Sequence, residues 1–125
     1  MATQDIDICC RFSTDNLLRI QTALDGLNPV HRMTNNIPLD LTEENCCSLK
    51  TLYLNTDLGQ LDCLGEVLGL GDFDEVKNLS EIIELDGFKC RILQLEALIT
   101  AKKSMGRPKD IETIKQLEVI QKQRS

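Results

Sequence analysis

No stretch of the 125 residues approaches the ~20 consecutive apolar side chains of a membrane-spanning helix, and Met1–Cys10 has no cationic segment followed by an apolar one. Neither a membrane span nor a secretory leader is expected, so the sequence reads as soluble and cytoplasmic. The six cysteines include no C-x-x-C, and His31 is the only histidine, which leaves a Cys/His zinc site without ligand spacing. Cys9–Cys10 and Cys46–Cys47 are adjacent pairs, and on a strand such neighbours point to opposite faces. The thiols are expected to be reduced and to serve as small buried apolar residues. Internal repeats and low-complexity segments are absent, and Gly69-Leu70-Gly71 lacks the Ser, Thr or Lys companion of a phosphate loop.

A cationic surplus is also missing. Fourteen Lys/Arg against twenty Asp/Glu give a formal charge of −6, with a pI near 4.7, which argues against a general electrostatic grip on nucleic acid. The imbalance is uneven: residues 1–100 carry a net −10 and residues 101–125 a net +4. That C-terminal segment is either a solvated helical face or the place a phosphate-bearing ligand would favour. With 42% hydrophobic and 27% charged residues, the composition suits one globular domain spanning residues 1–125. Folding at this size buries roughly two-thirds of the extended chain's surface, enough for a core without disulfides or structural metal.

Alternation in Asp5-Ile6-Asp7-Ile8 predicts a strand. Ser13 or Thr14 can cap a helix with Leu17, Ile20, Ala23, Leu24 and Leu27 on one face, stopped near Gly26. Asn28 to Asn45 reads as a loop with a short edge strand at Ile37–Leu41. Leu49–Leu54 and Gln60–Leu64 suggest a hairpin, and Phe73 to Ser80 a short helix behind Asp72 and Asp74. Asp86-Gly87 between two alternating runs predicts a tight hairpin. Leu95 to Lys102 and Ile111 to Ile120 follow helical spacing, separated by Gly106-Arg107-Pro108, with Asp110 placed to cap the last helix.

Two constellations carry potential chemistry. Asp5 and Asp7 project from one face of their strand, half of a hard-metal site, and Asp62, an acid among apolar strand residues, is the best third ligand. An exposed polar sheet face explains the same acids. Lys102, Lys103, Arg107, Lys109 and Asp110 surround a Gly-Arg-Pro-Lys-Asp turn, where cations meet fresh backbone N–H donors. A plain helix-to-helix turn, with Gly106 as C-cap and Pro108 in the first turn, explains that pattern too.

Thr3-Gln4-Asp5-Ile6-Asp7, Leu61-Asp62-Cys63-Leu64, Leu85-Asp86-Gly87, Leu95 to Lys102 and Gly106-Arg107-Pro108-Lys109-Asp110-Ile111 are, in this order, similar to the landmarks of small nucleotidyltransferase-fold proteins. The relatives are the minimal nucleotidyltransferases and the abortive-infection-type toxins. The resemblance implies an α+β fold, a mixed β-sheet flanked by helices and truncated at the N-terminus. It implies that Asp5, Asp7 and Asp62 hold two magnesium ions, that Asp62 also helps deprotonate an acceptor hydroxyl, and that Lys102, Arg107, Lys109 and Asp110 lie near the nucleotide of an NTP.

The family's Gly-Ser or Gly-Gly phosphate-binding turn lies upstream of its Asp-x-Asp, whereas only four residues precede Asp5 here; Gln94 stands where relatives place a helix-capping Ser or Thr. The expectation is a degenerate nucleotidyltransferase-fold protein acting as a binding or interaction module, in a toxin–antitoxin or mobile-element setting. The alternative is an active magnesium-dependent nucleotidyltransferase with a protein, RNA or small-molecule acceptor. An exposed sheet edge is expected to drive homo-oligomerisation or pairing with a partner chain.

Overall fold

A computed structural model describes residues 5–124; Thr3 and Gln4 of the first landmark lie outside the described residues. The fold is mixed α+β, with five helices among the described residues, and the chain divides between Gly65 and Glu66 into two compact units.

The first unit runs through β1 (Asp5–Cys9), α1 (Thr14–Ala23), β2 (Val30–His31), β3 (Ile37–Pro38), α2 (Glu43–Cys46), β4 (Thr51–Thr56) and β5 (Gly59–Leu64). Its sheet has the order β1-β5-β4-β2-β3, with β1 parallel to β5 and the other neighbours antiparallel. Alternation sorts the strands into two faces. Leu52, Leu54 and Cys63 point to a core that also takes Leu17 from α1, Leu41, and Cys46 from α2, all buried. The expected hairpin forms as β4 and β5, and the expected edge strand as β3. Ser13 caps α1, its hydroxyl accepting the Asn16 N–H at 3.3 Å.

Two elements fall within the stretch read as loop. β2 is too short to show a period, yet it connects β3 to the sheet. The single turn of α2 rests on a capping box: Thr42 Oγ1 accepts the Asn45 N–H, and Asn45 Oδ1 accepts the Thr42 N–H.

The second unit contains β6 (Glu66–Val67), β7 (Gly71–Asp72), α3 (Phe73–Asn78), β8 (Ser80–Leu85), β9 (Phe88–Leu93), α4 (Leu95–Met105) and α5 (Pro108–Arg124). Asp72 caps α3 through the Glu75 N–H. In the β8–β9 hairpin Asp86 and Gly87 both take positive φ, 49° and 82°, as a tight primed turn demands. Gly106 ends α4 in the left-handed region at φ 66°, and α5 starts at once with Pro108. Asp110 therefore sits inside the first turn of α5 rather than at its cap. α4 and α5 pack together, with Ala97, Ile99, Ala101 and Ile114 buried. Among the described residues no helix is long and apolar enough to cross a membrane.

Candidate functional site

The parallel register of β1 on β5 sets Asp7 beside Asp62 and Asp5 beside Gln60, and the β4–β5 register sets Tyr53 on the other side of Asp62. Side chains at paired positions share a face, so the three acids expected from the sequence stand on one face of the sheet, opposite the apolar core. Asp5 and Asp7 are exposed. Asp62 is only 19% exposed and is engaged by a residue that sequence reasoning missed: Arg32 Nη1 donates to Asp62 Oδ1 at 2.6 Å and Nη2 to Oδ2 at 3.1 Å.

Arg32 follows β2, and its backbone N–H bonds the Tyr53 carbonyl at 2.9 Å, which carries the side chain alongside β4. Its guanidinium carbon lies 5.5 Å from the Tyr53 ring centroid, and Nη1 also reaches the Leu54 carbonyl at 3.4 Å. The paired hydrogen bonds to Asp62 raise the Arg32 pKa further, against the opposing effect of burial, and the charges of Asp62, Asp5 and Asp7 add to it. The guanidinium thus stays charged and stands bonded to Asp62 beside the other two acids. No local sequence pattern marks Arg32; only the cross-strand register brings it to Asp62.

This pairing bears on magnesium. Both oxygens of Asp62 already accept hydrogen bonds from a guanidinium, and a metal would need the same lone pairs. Among the described residues no group of three or more His, Cys, Asp or Glu is arranged to hold a metal ion. As arranged, these side chains do not fit a magnesium pair.

The basic turn lies in the second unit. Asp110, 1% exposed, accepts from the Arg107 backbone N–H at 3.2 Å, from Arg107 Nε at 2.6 Å and from Arg107 Nη2 at 3.2 Å. Lys102 Nζ stands 3.7 Å from Asp110 Oδ1. The bonds from Arg107 hold the Asp110 carboxyl below its ordinary value, opposed by burial and assisted by Lys102. Three of the four residues expected near a nucleotide thus converge, with Asp110 as the anion that the cations and the helix N-terminus receive. Lys109 is exposed on the first turn of α5. Gln94, at the N-cap of α4, makes no side-chain capping bond.

No family model matches the chain, and no curated protein or solved structure matches it either.

Proposed function

We propose that this chain is a degenerate nucleotidyltransferase-fold protein that acts as a binding or interaction module. The observation that carries this reading is the Arg32–Asp62 pair. In the resemblance Asp62 is the acid that would both hold metal and assist the acceptor hydroxyl, and here its two oxygens are bonded to a guanidinium. The basic turn is likewise satisfied from within by Asp110. A nucleotidyltransferase-like fold is supported by the acid-bearing β1 and β5 lying side by side in a mixed sheet with helices in the same unit.

An interaction role has its own support at β1. That strand forms one edge of the five-stranded sheet, and Ile6 on it is 55% exposed. Among the described strands only β5 lies beside β1, and a sheet edge offers backbone donors and acceptors to which a second copy or a partner strand can add. Sedimentation is expected to show self-association of the isolated protein, whereas a well-folded monomer would leave a partner chain as the strand donor.

Titration calorimetry with each of the four ribonucleoside triphosphates and magnesium, with pyrophosphate release followed in parallel, tests the reading. No pyrophosphate is expected. Sustained release, lost on Asp62→Asn, would replace the proposal with metal-dependent transfer from an NTP to a protein, RNA or small-molecule acceptor.

A further inference from the structure

Two strands that lie at the margins of their sheets carry opposite charge in the same pattern. Among the described strands β1 has β5 as its only neighbour, and β9 has only β8. On β1, Asp5 and Asp7 project from one face and Ile6 and Ile8 from the other. On β9, Lys89 and Arg91 project from one face, and Phe88, Cys90 and Ile92 from the other. All four charged residues are exposed, as are Ile6, Phe88 and Ile92. None of the four forms an ion pair among the described residues. Lys89 lies across from Glu84 on β8, and Arg91 Nη1 donates to Ser80 Oγ at 3.3 Å.

Charge decides which of these edges suits which. Antiparallel pairing of β1 with β1 of a second copy sets Asp7 opposite its own counterpart when centred on Asp7, and Asp5 opposite Asp7 when centred on Ile6. Pairing of β9 with β9, centred on Cys90, sets Lys89 opposite Arg91. Like charges directly opposite one another destabilise a sheet. β1 against β9 has no such conflict. An antiparallel ladder with Ile6 opposite Cys90 places Asp5 opposite Arg91, Asp7 opposite Lys89 and Ile8 opposite Phe88. Acid then meets base on one face, and apolar meets apolar on the other. A slip of one residue sets both acids against apolar side chains, so alternation allows only slips of two.

We propose that copies of this chain associate by strand addition, β1 of one copy lying antiparallel to β9 of the next, with Asp5 and Asp7 paired to Arg91 and Lys89. The inference rests on the reading of β1 as an interaction edge and names the strand that this edge takes. Main-chain hydrogen bonds supply affinity, and the alternating acid and base select β9 over a second β1. Every copy carries both strands, so donor and acceptor are always present together.

Sedimentation equilibrium of the full chain over a concentration series, with two charge-reversed variants, tests the pairing. The wild-type chain is expected to self-associate, and added salt to weaken the association because the paired charges lie at the surface. The double variants Asp5→Lys/Asp7→Lys and Lys89→Glu/Arg91→Glu each bring like charges together, and each alone is expected to associate about tenfold or more weakly. An equimolar mixture of the two sets reversed β1 against reversed β9 and native β1 against native β9. That mixture is expected to recover the wild-type association, which also shows that both variants are folded. A wild-type chain that stays monomeric, or two weakened variants that do not rescue each other, would overturn the pairing. Association lost on reversal of β1 but untouched by reversal of β9 would overturn the pairing alone and leave β1 as the edge for another strand. Association untouched by reversal of β1 would overturn the reading of that edge as well.

Discussion

Asp110 is a carboxylate with 1% exposure, held by three donors from Arg107 and approached by Lys102. Its pKa lies below the ordinary 3.8 in the folded state. The stability it contributes is fully present above the unfolded value and is lost as the pH falls through the folded one. Asp110→Asn is therefore expected to lower the thermal midpoint at neutral pH, and the gap from the parent protein should narrow in acid below 3.8; melting curves across pH check this. For the part-exposed Arg32–Asp62 pair, a double-mutant cycle with Arg32→Ala and Asp62→Asn should give a coupling of about 1 kcal/mol, read from denaturant midpoints. Asp5 and Asp7 are predictable as a same-face pair because strand alternation is local. Arg32 is not, because it stands 30 residues from Asp62 and meets it only across β4.

At the level of elements, local signals succeeded wherever a cap or a turn has a steric cause. Gly106 ends α4 at φ 66°, a conformation that costs an L side chain roughly 1–2 kcal/mol, so Gly106→Ala should destabilise by about 1 kcal/mol in chemical denaturation. Ser13→Ala removes the oxygen that receives the Asn16 N–H and is expected to cost about 1 kcal/mol by the same measurement. The β8–β9 hairpin was legible from Asp86-Gly87, since both residues must accept positive φ. By contrast β2, β6 and β7 have two residues each, too few for any period, and form because a neighbouring strand offers a ladder. The capping-box pair Thr42 and Asn45 is present in the sequence, but a helix of four residues has no apolar stripe to point to it.

For the whole molecule, the sheet core is the largest energetic commitment of the first unit. Leu54, 0% exposed in one buried cluster with Leu17, Leu52 and Cys63, is the sharpest probe. Leu54→Ala should lower the unfolding free energy by roughly 2–5 kcal/mol through lost transfer energy and a cavity, measured by denaturant titration. The boundary between Gly65 and Glu66 falls inside the span that composition reads as one domain, and no Pro-rich or Gly-rich linker marks it. Composition and alternation, being properties of neighbours along the chain, determined the main strands and helices and the common face of Asp5 and Asp7. Tertiary structure alone decided that Asp62 meets Arg32 and that Asp110 turns inward to Arg107 and Lys102. Those meetings depend on strand register and helix docking, and the sequence encodes these only through the summed packing of many distant side chains.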